Sequence, residues 1–219
     1  MKNNEELQKS VQDAIYWEPL LQKARITVVA NNGVVTLSGV VDHYAKKAEA
    51  ELVAKNLAGV KSVITGISVV SNEKDQRTDV EIKAAIENVF KWHWDIPTER
   101  VHVAVEDGWV FMTGELEWNY QKEAAKNAVT NLIGIKGITN NINIISCSKD
   151  SLEKKDIELA IQRNSAIDCK NIGVYVLNNV VTLTGHVDSW YQKCESARIA
   201  WNAPGVVQVQ NDLYVEFDE

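Results

Sequence analysis

Residues 34–39 read VVTLSG, residues 109–114 read WVFMTG and residues 180–185 read VVTLTG. Each hexapeptide ends on a glycine after a run of β-branched or bulky side chains, the pattern of a strand that stops at a bend. Upstream of each lies a two-residue turn signal: Asn32-Gly33, Asp107-Gly108 and Asn178-Asn179. These residue types tolerate the positive φ of tight hairpins. Before each turn runs a further alternating segment, ITVVA at 26–30, VHVAV at 101–105 and IGVYV at 172–176. Strand, turn and strand make one hairpin per copy.

The repeat continues past the glycines Gly39, Gly114 and Gly185. Three residues on stands an acid, Asp42, Glu117 or Asp188, where a helix N-terminus favours an acceptor or a negative charge. An apolar or small residue then recurs at helical spacing: Ala50, Val53, Ala54 and Leu57; Ala125, Ala128, Val129 and Leu132; Ser196, Ile199, Ala200 and Ala203. A second glycine follows, Gly59, Gly134 or Gly205, expected as a helix C-terminal residue. A β-branched segment closes each copy. An earlier helix precedes each hairpin, with Ala14-Ile15, Ala85-Ile86 and Ala160-Ile161 aligned, and Thr78-Asp79-Val80-Glu81 reads as a capping box.

The fold class is therefore α+β: three tandem α-β-β-α-β domains, each a small three-stranded sheet packed by two helices. Domain 1 is expected over residues 1–74, domain 2 over 75–149 and domain 3 over 150–219, with polar boundaries at 71–77 and 147–151. With the first helices aligned on those Ala-Ile pairs, domain 2 carries a four-residue insertion near Trp92-Trp94, between its first helix and first strand.

Composition narrows the function. The 219 residues are 45% hydrophobic and 24% charged, ordinary for a globular chain. The net charge of −7 argues against a nucleic-acid partner, which usually calls for a basic face. Charge drifts from +1 through −3 to −5 over the three domains, making the first the one best suited to an anionic surface. Cys147, Cys169 and Cys194 lack pairing or ligand spacing and read as small buried hydrophobes in a reducing compartment. With Met1 as the natural start the expected location is cytoplasmic; with a leader removed it is periplasmic.

A unit of about 70 residues with V-x-L-x-G, a helix, a Gly-Val or Gly-Ile pair and a last strand resembles the BON domain of bacterial osmotically inducible, OsmY-type, and nodulation proteins. Here VVTLSG with Gly59-Val60, WVFMTG with Gly134-Ile135 and VVTLTG with Gly205-Val206 carry the resemblance. It implies a non-catalytic module linked to osmotic or envelope stress. Its implied partners are phospholipid or membrane surfaces, or other proteins in a chaperone-like role.

No motif for catalysis, phosphate cradling or a metal stands in the chain, and no enzyme activity, cofactor or metal site is expected. The anchor glycines Gly39, Gly114 and Gly185, the glycines Gly59, Gly134 and Gly205, and the acids Asp42, Glu117 and Asp188 read as structural. Lys47, Lys122 and Lys193, all eight residues past an anchor, read as solvated helix faces. The residues that stand out are Phe90, Trp92 and Trp94, because Trp suits membrane interfaces and protein hot spots. Trp17, before Glu18-Pro19, occupies a comparable place in domain 1. The leading expectation is binding to a lipid or envelope surface through these aromatics, with Lys46, Lys47, Lys55 and Lys61 supplying positive charge. The alternatives are a soluble chaperone-like or scaffolding stress protein, and binding of a small cation, potassium or calcium, by backbone carbonyls.

Overall fold

The computed structural model describes residues 3–72, 75–145, 154–167 and 169–216. The first unit runs α1 (Asn4–Trp17), β1 (Arg25–Asn31), β2 (Val34–Val41), α2 (Tyr44–Lys55) and β3 (Ser62–Val69). The second repeats it as α3 (Asp79–Trp92), β4 (Val101–Glu106), β5 (Trp109–Leu116), α4 (Asn119–Thr130) and β6 (Gly137–Ile144). The third has α5 (Lys154–Gln162), β7 (Ile172–Leu177), β8 (Val180–Val187), α6 (Trp190–Trp201) and a last strand in two pieces, β9 (Gln208–Asn211) and β10 (Tyr214–Val215). In each unit the hairpin is antiparallel and the last strand lies parallel to the hairpin's second strand, so the VVTLSG-type strand is central. The α+β architecture of three α-β-β-α-β units is thus what the chain adopts. The expected boundary at 147–151, with Cys147, falls outside the described residues, as does part of the one at 71–77.

Hairpin geometry follows from the turns. Asn32, Asp107, Asn178 and Asn179 take φ between 49° and 65°, with Gly33 and Gly108 also positive. The first helix clamps the turn it faces. Asn4 Oδ1 accepts from the Asn32 N–H at 2.8 Å, and in the second unit the Asp79 carboxylate accepts from both Asp107 and Gly108 at 2.8 Å. One side chain thereby satisfies turn amides that would otherwise need water.

The helices do not begin where the Ala-Ile pairs place them relative to one another, and the four-residue insertion is not there. Leu7, Val11 and Ile15 of α1 are buried, and their counterparts in α3 are Ile82, Ile86 and Phe90. Ile15 corresponds to Phe90, not to Ile86. Both helices have 14 residues, both start with a capping box, Asn3 with Glu6 and Thr78 with Glu81, and both lead to a buried anchor, Leu21 or Ile96. The three copies stay in register from first helix to last strand, with Ile157, Ile161 and Ile167 continuing the series in unit 3. The extra four residues between copies one and two lie in the connection between units. A slip of four residues on a helix keeps the same face inward.

Each unit closes its own core between one sheet face and two helices. Ala50 and Ala54, Ala125 and Val129, and Ser196 and Ala200 are the buried residues of the second helices, and their small size brings helix close to sheet. These helices stop earlier than expected, with Asn56, Asn131 and Asn202 as C-caps; Gly59, Gly134 and Gly205 belong to the turn beyond. The units also touch. Tyr44 of α2 and Trp201 of α6 pack against the second unit's core, and Lys55 of α2 stands 5.5 Å from the ring of Trp190.

A polar tie fastens helix to last strand in two units out of three. Lys122 Nζ donates to the Ile142 carbonyl at 2.7 Å, while Asn140 donates to the Lys122 carbonyl at 3.1 Å and accepts from the Ile142 N–H. Lys193, Asn211 and Leu213 repeat the arrangement. These lysines are helix-to-strand fasteners rather than a solvated face. The first unit has Lys47 and Thr65 at the matching places, and the Thr65 hydroxyl is buried with no hydrogen-bond partner. A buried polar group left unpaired costs about 1–3 kcal/mol. Thr65→Asn should therefore stabilise the first unit by about 1 kcal/mol, read as a higher midpoint in denaturant melts; an unchanged or lowered midpoint would mean that Lys47 cannot complete the tie.

Candidate functional site

The turn after α3 holds the aromatic residues singled out in the sequence, and it separates them. Phe90 faces inward, 3% exposed, as the last core residue of the helix, so it cannot belong to a binding surface. Trp92 closes the helix and Trp94 follows His93, at 89% and 91% exposure. The local backbone explains the split. The His93 N–H donates to the Phe90 carbonyl at 3.1 Å and the Ile96 N–H to the His93 carbonyl at 3.2 Å. With Phe90 and buried Ile96 fixed on either side, the two tryptophans between them project outward. His93 Nδ1 also stands 3.4 Å from the Asp95 carboxylate.

What such a projection can do is bury apolar area. A Trp ring carries roughly 150–250 Å², worth about 5 kcal/mol when fully covered at ~25 cal/mol per Å², before the costs of association. The indole N–H can remain in a polar layer meanwhile.

The lysines expected beside the aromatics are largely engaged elsewhere. Lys46 pairs with Asp42 at 2.7 Å, and Lys55 pairs with Glu51 while facing Trp190. Lys61 is exposed with its stem against Gly33, and Lys47 is half-buried on α2. All four lie in unit 1, whereas Trp92 and Trp94 are in unit 2. Two of the four lysines, Lys46 and Lys55, are thus drawn into internal ion pairs.

The repeated acids also act differently from expectation. None caps a helix: the N-cap residues are His43, Trp118 and Ser189. Asp42 binds Lys46 and His43, the latter at 3.1 Å, and Glu117 binds Arg100 at 2.8 Å. At α6 the Ser189 hydroxyl accepts from the Gln192 N–H at 3.2 Å, and the Gln192 side chain accepts from the Asp188 N–H. One acid per unit, with Asp42 and Glu117 each paired to a neighbouring cation, offers no paired carboxylates for acid–base chemistry.

Cavities lie elsewhere. A cleft of about 500 Å³ runs between α4 and α6, lined by Trp190, Tyr191, Cys194, Trp201 and Glu123 among others. Trp190 is flanked by Lys55 and Lys193, at 5.5 and 5.4 Å from its ring. Cys194, expected to be buried, is exposed on α6, because the helix turns its smaller residues Ser196 and Ala200 to the sheet instead. Where its sulfur meets neighbouring groups, burial pushes the thiol up, against the pull of Lys55 and Lys193. This inter-unit groove was not legible in the sequence, since it depends on how two units lean together. Among the described residues, no group of three or more His, Cys, Asp or Glu gathers to hold a metal ion, and no helix is long and apolar enough to cross a membrane.

The profile of the BON domain matches residues 3–71, 78–146 and 150–216. The osmotically-inducible protein Y of Escherichia coli (strain K12) is 30% identical over 132 residues, covering 56% of this chain and 63% of that protein. The chain thus matches a little under two thirds of that relative's length. Two solved structures of CdsD, titled as a structural protein of the type III secretion system of Chlamydia trachomatis, align at 17% and 16% identity. They cover 98% and 96% of this chain and 100% and 94% of theirs, each with a TM-score of 0.25.

The Asp42 pair has a measurable consequence. Partial burial works to raise this carboxyl, but hydrogen bonds from Lys46 and His43 outweigh it and bring the group from its ordinary 3.8 to about 2. A depressed folded-state value stabilises the fold above the unfolded value, and the benefit is lost as pH falls through the folded one. Wild type should exceed Lys46→Met by up to about 1 kcal/mol near neutrality, after discounting for solvent exposure, and the gap should close between pH 4 and 2. Acid titration of the two proteins by circular dichroism measures it; a gap independent of pH would remove the ion pair as its cause.

Proposed function

The chain belongs to the BON-domain family, and from that premise we propose that it is a non-catalytic binding protein of osmotic or envelope stress that docks on phospholipid surfaces through Trp92 and Trp94. One observation carries the reading: two tryptophans, about nine-tenths exposed, stand on either side of His93 in a turn whose flanking residues, Phe90 and Ile96, are buried in the core. Tryptophan concentrates where apolar and aqueous phases meet, because its ring is apolar and its N–H is not. The osmotically inducible relative supports the stress connection. The reading sets the protein at the aqueous face of a membrane, held by shallow insertion rather than by a spanning segment.

A second reading has its own support. Large aromatic residues are exposed on more than one unit, Tyr16 and Trp17 on the first and Trp92 and Trp94 on the second, as a protein that holds other chains in a chaperone-like way would require.

Co-sedimentation with phosphatidylglycerol–phosphatidylcholine vesicles separates the two. The expected result is binding by the intact chain, accompanied by a blue shift of Trp emission, with Trp92→Ala/Trp94→Ala at least about tenfold weaker. Absence of vesicle binding together with suppression of aggregation of a denaturing client protein would decide for the second reading.

A further inference from the structure

The turn that carries Trp92 exists three times. The Glu18 N–H donates to the Ile15 carbonyl, His93 to Phe90, and Asn164 to Ile161. One step later the Leu21 N–H donates to the Glu18 carbonyl, Ile96 to His93, and Ile167 to Asn164, and Leu21, Ile96 and Ile167 are all buried. In this register Trp17 is the equivalent of Trp92, the last residue of an identically placed 14-residue helix. It is 78% exposed, with Tyr16 at 71% beside it and exposed Leu20 just beyond. The third unit departs. Arg163 stands at the equivalent position, Ser165 and Ala166 follow, and Asn164 is bonded to Glu195 of α6 at 3.0 Å.

We propose that the turn after the first helix is a membrane-contact element in the first unit as well as the second, so that the chain meets a phospholipid bilayer at two points: Trp17, with Tyr16 and Leu20, and Trp92, with Trp94. The third unit holds its copy of the turn against its own second helix. The inference rests on the lipid-binding reading above and extends it to a residue set in another unit.

The occupant follows from shape and charge. Both turns are projections, not grooves, and the cleft between α4 and α6 is lined by other residues. The ionisable groups at each are of both signs, Glu18 and Lys23 at the first and Lys91 and Asp95 at the second. A folded protein partner would need two separate pockets at matching spacing. A fluid interface receives any projecting indole and asks for no net charge. Two attachment points on one chain reinforce each other, because the first contact raises the effective concentration of the second.

The test is flotation of the full chain with phosphatidylcholine vesicles, with and without phosphatidylglycerol, for wild type, Trp17→Ala, Trp17→Phe and Trp92→Ala/Trp94→Ala. Trp17→Ala should weaken partitioning by about tenfold although both unit-2 tryptophans remain, and Trp17→Phe should stay within about twofold of wild type. Because Trp17 is mostly exposed, melting curves of the variants should overlay, which keeps a binding loss distinct from unfolding. Trp17→Ala partitioning like wild type, or Trp17→Phe as weak as Trp17→Ala, overturns the two-point contact. If Trp92→Ala/Trp94→Ala abolishes binding while Trp17→Ala changes nothing, this inference falls and the lipid-binding reading stands. If the intact chain floats with no vesicle, both fall.

Discussion

Two residues before the end of the second strand of every unit, a carbonyl oxygen occupies the place where a side chain would begin. Arg25 supplies it at Gly39, Arg100 at Gly114 and Asn171 at Gly185, and a Cβ added at any of the three would collide with that oxygen. The backbone there is also at φ of 142°, 143° and 110°, a region open to glycine alone at little cost. Much else depends on this contact. It pins the start of the first strand to the end of the second and so holds the hairpin register. The strand does not stop at the glycine but runs two residues further, to Val41, Leu116 or Val187, before the second helix, whose alanines and serine lie close against the sheet. The three hexapeptides recur because the contact recurs.

That constraint is why the architecture could be read without coordinates. A glycine required by a backbone collision, a turn required by positive φ and a helix face of small residues each leave a fixed residue type at a fixed spacing. Three repetitions made them unmistakable. The register of the first helices was harder, for a physical reason. Ile15 and Ile86 look alike, but so do Val11 and Ile86, and a shift of about one helical turn preserves the inward face. Periodicity alone cannot detect such a slip. The caps can, since Asn3 and Thr78 mark the same helix start, and an Asn that opens a capping box is a quieter signal than Thr followed by Asp and Glu.

The candidate site was legible in part. Tryptophans stood out by number, and their exposure follows from sitting between two buried anchors, Phe90 and Ile96. Phe90 was grouped with them because it is aromatic and adjacent; only the helix register shows that it points the other way. The acids and lysines misled more. Asp42 and Lys46 sit four apart on opposite sides of a helix start and find each other, and Lys122 and Lys193 reach back to strand carbonyls contributed by a distant stretch of chain. A charged residue type at a constant offset says that something is conserved between copies in space, without saying whether its partner is solvent or the fold.

Those inward-turned lysines bear on the medium in which such a protein would operate. When ionic strength rises to about 1 M, the Debye length shrinks to roughly 3 Å, and adhesion that relies on exposed cations is screened away. Hydrophobic contact is not screened in that way; salts excluded from apolar surface strengthen it. Lys46 and Lys55 are committed to Asp42 and Glu51 at close range, while the indole rings of Trp17, Trp92 and Trp94 are left outside. A contact made through those rings would be of the kind that survives a concentrated, dehydrating solution.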